Sequence, residues 1–240
     1  MIEFTIFGII VRVHPWHWIG LAFLGGAFNI KEASDLQLVL LFMVVGFVAI
    51  LLHELGHALV GRKLGGGAAT IDLIALGGYT KSYNTHYKKH GRALSIIAGP
   101  AATFLFGILG WLLCLIFFGG NFNLTNDATA LFFQSPYYAF YITQQLSFSD
   151  TDAIKLYFIG SILWVSLWWT ILNLLPIYPM DGGQFMAEYI RSTKTVHLIG
   201  FILSLVIGFI ALVFFQAFLV VVFMAFFAYS NLKNYKSAIF

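Results

Sequence analysis

The chain has 240 residues, of which 60% are hydrophobic and 10% are charged, and its mean hydropathy is +0.88. This composition excludes a water-soluble globular protein and predicts a polytopic membrane protein. The formal net charge of +3 is too small to indicate a nucleic-acid partner. A single cysteine, Cys114, excludes an internal disulfide bond and a cysteine-based zinc site.

The N-terminal region combines a mixed polar and apolar segment with a first predicted helix. Residues 2–13 alternate loosely, which is typical of a short strand or an interfacial segment. Pro15 favours a helix start at the membrane interface, and this helix is expected to run to about Phe28. His14 and His17 are candidate metal ligands, but we expect them to be interfacial or cavity-lining side chains.

The second predicted helix, residues 36–61, is long enough to cross a membrane and contains two histidines and a glutamate near its end. His53 and His57 are four residues apart, so both imidazoles lie on one face of the helix, where they can bind one Zn²⁺. Glu54 lies beside the first ligand, as a general base would. The alternative, a structural pair of core histidines, does not explain a carboxylate between them at this depth.

A basic segment, residues 62–92, follows this helix and contains six lysine and arginine residues but one aspartate. The positive-inside rule predicts that it lies in the cytoplasm. Residues 69–80 within it are too apolar and too short for a spanning helix, and they predict a β-hairpin near the metal site, with Gly77 and Gly78 at a bend or a close backbone approach. A free edge could bind an unwound peptide as an added strand, although an ordinary surface hairpin is an equal alternative.

A third helix is predicted over residues 93–118, and an extracytoplasmic loop over residues 119–155. The helix begins with small residues that allow close helix packing. The loop contains aspartates and almost no basic residues. Within it, residues 128–146 are aromatic-rich and interrupted by Pro136, so we expect them to lie along the interface or to cover a cavity.

The fourth predicted helix, residues 156–175, is followed by a segment whose two prolines and two glycines cannot continue a regular helix. Such a segment needs protein or water around it at this depth. Asp181 within it is the best candidate for a third zinc ligand, in a His₂Asp site with one open position. The alternative is an aspartate that caps a short helix starting at Gln184.

The C-terminal apolar stretch, residues 197–229, is predicted to form two short helices that turn near Gln216, because basic residues flank both of its ends. The predicted fold is an all-α polytopic membrane protein with six spans, a small β-hairpin on the cytoplasmic side between helices two and three, and both termini in the cytoplasm. We expect one membrane-embedded domain over residues 1–240. This topology allows His57 and Asp181 to meet near the cytoplasmic face.

Four motifs resemble those of the site-2 protease family of intramembrane zinc metalloproteases. The resemblance rests on HELGH in a membrane helix, LIALGGY in the hairpin, GPAAT at the start of the third helix and NLLPIYPMDGG after the fourth. These motifs occur in the expected order between about residues 36 and 190. The family therefore implies expectations for the site and for the reaction.

The resemblance implies that His53, His57 and Asp181 hold one Zn²⁺ per chain, that Glu54 is the general base, and that Asn173 helps to stabilise an oxyanion. It implies hydrolysis of peptide bonds in or near the membrane spans of single-span proteins. We expect the site to face the cytoplasmic side of a bacterial or archaeal plasma membrane. The sequence does not indicate an oligomeric state.

Two features depart from the family pattern, and two other functions remain open. Thr103 occupies a position where many relatives have asparagine. We expect no PDZ or nucleotide-sensing module, and we therefore expect regulation by substrate shape, partners or the loop over residues 119–155. A zinc transporter or sensor would require polar groups distributed across the bilayer. An inactive homologue that acts as a scaffold would not need the intact Glu54.

Overall fold

The computed structural model describes residues 1–119 and 150–237. Its helices are α1 (Pro15–Leu24), α2 (Ala33–Gly65), α3 (Gly91–Phe118), α4 (Asp150–Leu174), α5 (Asp181–Tyr189), α6 (Thr193–Val213) and α7 (Phe218–Ser237), with a short 3₁₀ helix at Ala27–Asn29. Five of the described helices, namely α2, α3, α4, α6 and α7, are long and apolar enough to cross a membrane. The predicted six spans are therefore not confirmed.

Helix α1, the first of the six predicted spans, is too short to cross a membrane. It is 10 residues long, and at about 1.5 Å per residue it is roughly half as long as the hydrocarbon core is thick. Gly25 follows it, and Gly26 adopts a positive φ of 83° that a helix cannot contain. The first helix, which the sequence predicts to run to about Phe28, therefore ends at Leu24.

Four strands form one sheet, in the order β1 (Ile2–Ile6), β2 (Ile9–Val13), β3 (Ala68–Ile74) and β4 (Gly77–Tyr83). β1 pairs with β2 and β3 pairs with β4 in antiparallel hairpins, whereas β2 and β3 are parallel. A parallel pair needs a long crossover connection, which α1 and α2 provide here. The sheet is thus fixed to the helix that carries both histidines.

The sheet is larger than the predicted hairpin. The strands of the first hairpin bury alternate apolar side chains against α2 together with β3, which explains why residues 2–13 join the sheet rather than lie on the interface. The predicted bend at the two glycines is also displaced. The turn lies at Ala75, whose φ is 50°, and Gly77 is already the first residue of β4.

Two predicted boundaries in the second half of the chain can be compared with the structure. Helix α4 begins at Asp150, so residues 150–155 are helical and do not belong to the predicted loop over 119–155. Aspartate and threonine suit the start of a helix, which accounts for the earlier beginning. The predicted cover over 128–146 lies outside the described residues. The turn expected near Gln216 lies between α6 and α7.

Close packing of α2 against α3 positions the site. A Cβ atom added at Gly56 of α2 would collide with the backbone carbonyl of Ala98 in α3. A Cβ atom at Gly99 would overlap the imidazole of His57. The small residues of the GPAAT motif therefore let the backbone of α3 approach the histidines of α2.

Candidate metal centre

Three side chains from two helices converge at one point. His53 and His57 lie one turn apart on α2, and Asp181 is the first residue of α5. The Nε2 atoms of the two histidines are 3.1 Å apart, and Asp181 Oδ2 lies 3.0 Å from His53 Nε2 and 3.2 Å from His57 Nε2. Two ligand atoms of a tetrahedral zinc site are about 3.3 Å apart when the bonds are about 2.0–2.1 Å. The triangle formed by these three ligand atoms is therefore close in size to one face of a tetrahedral zinc site.

The other ring nitrogens determine which histidine tautomers are present. His57 Nδ1 is 2.9 Å from the carbonyl oxygen of Ser95, which can only accept, so this nitrogen donates its proton. Thr103 Oγ1 donates to the carbonyl oxygen of Gly99 at 3.2 Å and is 2.9 Å from His53 Nδ1. Because the hydroxyl has one proton, it accepts from His53 Nδ1. Both Nε2 atoms are therefore left with lone pairs, the form that binds a metal ion.

The carboxylate completes a donor set that suits a cation. Asp181 Oδ2 is buried and accepts no hydrogen bond from the described residues, although both imidazoles are close to it. Three converging lone-pair donors without a bound proton repel one another, and a divalent cation removes that repulsion. The residues present therefore fit a zinc ion.

The capping alternative for Asp181 is wrong. Helix α5 starts at Asp181 and not at Gln184, its N-cap residue is Met180, and no side chain makes a capping hydrogen bond. The two residues that follow are Gly182 and Gly183. A Cβ atom at Gly182 would collide with the backbone at the end of α4, and one at Gly183 with the backbone of the irregular segment. This close packing holds the carboxylate against α2.

The sheet positions Glu54. Thr80 Oγ1 on β4 donates a hydrogen bond to Glu54 Oε2 at 2.7 Å and lies 3.1 Å from the backbone oxygen of the same residue. Gly78 allows the strand to come this close, because a Cβ atom there would lie 2.7 Å from Glu54 Cγ. Glu54 as a residue is 4% exposed. The carboxylate is thus buried, oriented and adjacent to the first histidine.

A cavity of about 660 Å³ contains the whole group. Its walls include the three candidate ligands, Glu54, Thr80 and Asn173. Asn173 Nδ2 donates to the carbonyl oxygen of Trp169, one turn earlier in α4, at 2.8 Å. The structure therefore brings Asn173 into the same cavity, with one of its two amide protons engaged.

The N-terminal histidines do not join this group. His17 is buried, and its Nδ1 lies 3.0 Å from the carbonyl oxygen of Ala75. His14 Nε2 is 3.8 Å from Asp72, on the side of the sheet. In residues 1–119 and 150–237, the three ligands named above are the group of histidine, cysteine and acidic side chains that can hold a metal ion.

Sequence reasoning missed the groups that orient the ligands and the base. Thr80 is one threonine in an ordinary strand, and the acceptor at Ser95 is a backbone carbonyl, so neither gives a sequence signal. Thr103 follows Gly99 by one helical turn in the GPAAT motif, which could have indicated a shared face with the histidines.

Comparison with known families identifies the chain. The family model for peptidase family M50 matches residues 40–215, which include all three ligands and Glu54. The chain belongs to peptidase family M50. The matched range includes α3, α4 and α5, so the M50 assignment covers every helix that contacts the metal centre.

A curated member of this kind is a zinc metalloprotease of Methanocaldococcus jannaschii, which is 29% identical to this chain over 210 residues. The match covers 85% of this chain and 51% of the relative. The chain thus spans about half the length of the curated relative that it matches.

A solved structure has the same fold. The site-2 protease from Methanocaldococcus jannaschii matches with a TM-score of 0.57 and 23% sequence identity, over 98% of this chain and 94% of that chain. At this identity the likeness shows a common fold. The M50 chain described here is therefore an integral membrane protein with a site-2 protease fold.

Proposed function

We propose that this protein is an intramembrane zinc metalloprotease that hydrolyses peptide bonds in or near the membrane spans of its substrates. One observation carries the proposal: the lone pairs of His53, His57 and Asp181 converge at 3.0–3.2 Å beside the oriented carboxylate of Glu54. A metal-binding transporter or sensor needs the three ligands but has no use for a general base held by a second element. The buried Thr80–Glu54 hydrogen bond therefore favours an enzyme.

Zinc bound to these three ligands would polarise the scissile carbonyl and lower the pKa of a water molecule. Glu54 takes the proton of the attacking water and then passes it to the leaving amine. Since Thr80 donates to Oε2, the other carboxylate oxygen, Oε1, is the atom that receives this proton. Burial of Glu54 excludes bulk water and strengthens these interactions.

Asn173 stabilises the oxyanion in this proposal. Its amide nitrogen has two protons, and Trp169 accepts one of them. The second proton is available to a substrate oxygen in the cavity that Asn173 shares with Glu54. Donors aimed at a developing oxyanion are a major source of catalysis in peptide hydrolysis.

Strand β4 binds the substrate as an added strand. In the described part of the chain it is the last strand of the sheet and pairs on one side with β3. Its residues Gly78, Tyr79 and Thr80 line the cavity of the metal centre. A helical substrate must unwind before its carbonyl can be attacked, and a free strand edge offers the backbone hydrogen bonds that it loses.

The substrates are single-span membrane proteins, and the metal centre lies toward the cytoplasmic side of a bacterial or archaeal plasma membrane. The basic residues between α2 and α3 support this orientation by the positive-inside rule. His57 is near the end of α2 that enters this basic segment. Regulated intramembrane proteolysis is the proposed role.

Glu54→Gln tests the proposed reaction. Glutamine has the size of glutamate but cannot accept a proton, so the variant should retain zinc and should lose at least about 100-fold in cleavage rate. The measurement is cleavage of single-span membrane proteins by the purified full chain in detergent or vesicles, with the zinc content of both proteins determined in parallel.

Two results are informative beyond the rate. Uncut single-span proteins should accumulate in cells that carry Glu54→Gln instead of the intact chain, and these proteins identify the substrates. Cleavage by the variant at the original rate would show that Glu54 is not the base and would contradict the proposal.

A further inference from the structure

A buried amide in the last helix contacts the segment that carries Asp181. Asn231 of α7 is fully buried. Its Nδ2 atom donates to the carbonyl oxygen of Tyr178 at 2.6 Å and to that of Phe227, one turn earlier in α7, at 2.9 Å. The Tyr178 carbonyl lies three residues before Asp181, in the irregular segment between α4 and α5.

The orientation of this amide follows from its partners. Two carbonyl oxygens can only accept, so the atom facing them is the amide nitrogen, and both of its protons are used. The amide oxygen then faces His197 of α6, whose Nδ1 is 3.0 Å away and donates to it. His197 is itself buried, and its ring meets the Tyr178 ring edge-on with 5.2 Å between the centroids. These hydrogen bonds therefore hold both the nitrogen and the oxygen of the Asn231 amide.

The backbone of α6 approaches the Asn231 side chain closely at Gly200. A Cβ atom at Gly200 of α6 would lie 2.6 Å from Asn231 Oδ1. Helices α6 and α7 pack mainly against each other in the described structure, and α6 also contacts α5. The hydrogen bond from Asn231 to Tyr178 is thus a direct link between this helical pair and the backbone that leads to Asp181.

We propose that Asn231 is a positioning residue for the third metal ligand. Its amide, oriented by His197, holds the Tyr178 carbonyl and keeps the following residues in the course that delivers Asp181 to His53 and His57. Loss of this donor lets the segment shift and weakens zinc binding. This inference rests on the proposed function, since it assigns Asn231 to the same metal centre. Asn231 itself lies outside the range that the family model matches, which ends at residue 215.

Two variants of Asn231 separate positioning from helix pairing. Asn231→Asp keeps an acceptor for His197 but offers no donor to Tyr178. Asn231→Leu removes all three side-chain hydrogen bonds and keeps the branching of the side chain at Cγ. Ser204→Ala is the matched control, because Ser204 is equally buried in α6 and donates within its own helix to Gly200. Each full-length protein is loaded with Zn²⁺ and titrated with a chelator, and thermal unfolding is recorded for the same samples.

Both Asn231 variants should release Zn²⁺ at a chelator concentration roughly tenfold lower than the intact chain does. Metal affinity typically falls by at least this factor when a group that orients a metal ligand is lost. Ser204→Ala should behave as the intact chain does. If Asn231→Asp retained zinc as tightly as Ser204→Ala, Asn231 would only join two helices and the inference would be overturned. Asn231→Asp decides the question even where Asn231→Leu does not fold. If the intact chain itself bound no zinc, the proposed function would fail instead.

Discussion

The Thr80 hydroxyl has one proton, and its 2.7 Å hydrogen bond to Glu54 Oε2 uses it. A short hydrogen bond to a carboxylate fixes the direction of the remaining lone pairs as well as the position of the group. The orientation of the base thus depends on one side chain that lies 26 residues away in the sequence. Thr80 is thus a positioning residue for Glu54, the proposed general base.

Thr80→Val should lower kcat about tenfold, because the base keeps its place beside His53 but loses its fixed orientation. The substitution nearly preserves side-chain shape and should leave zinc content unchanged. Cleavage kinetics of the purified variant provide the measurement.

Thr70→Val is the matched control for this change. Thr70 lies on the neighbouring strand β3, its hydroxyl is 3.5 Å from that of Tyr83, and it is not among the residues that line the cavity of the metal centre. A loss of rate in Thr70→Val equal to that in Thr80→Val would mean that the sheet, and not the hydrogen bond to Glu54, is what matters.

Strand β4 is the element that connects the sheet to the base. It packs against α2 at the turn that carries Glu54, and two consecutive glycines stand at its start. These glycines have different surroundings. A Cβ atom at Gly78 would lie 2.7 Å from Glu54 Cγ, whereas one at Gly77 would lie at an ordinary contact distance of 3.8 Å from the Trp169 ring.

Gly78→Ala should reduce cleavage by at least about tenfold, because the added methyl group must displace Glu54 or move the strand. Gly77→Ala should leave cleavage within about twofold of the original rate. The two variants add the same methyl group to adjacent positions of one strand, so their comparison controls for the loss of glycine flexibility. Equal activity of the two alanine variants would refute the close approach of β4 to the base.

At the scale of the whole molecule, the sequence predicts which three side chains converge at the candidate metal centre, because their signals are local. The four-residue spacing of His53 and His57 is a property of one helix. Asp181 stands out because prolines and glycines break the fourth helix around it. The pairing of β2 with β3 has no such signal, since α1 and α2 separate the two strands and their register depends on tertiary packing.

Local sequence signals also fail to predict the number of membrane spans and the side chains that orient Glu54 and His53. The aromatic segment at Pro15 resembles the entry of a spanning helix, yet Gly25 and Gly26 end α1 after 10 residues. Thr80 and Thr103 act on Glu54 and His53 through single hydroxyls whose partners are far away in the sequence. Composition and periodicity predict the length of a helix and its apolar face. They do not identify which side chain will lie 2.7–2.9 Å from another.

The account depends on one cation bound between α2 and α5, and zinc content tests it most directly. Elemental analysis of the purified full chain should give one zinc per chain. Asp181→Ala removes the ligand supplied by α5 and should retain well under half of that amount after dialysis against a weak chelator. Equal zinc in the two proteins, or none in the intact chain, would contradict the account.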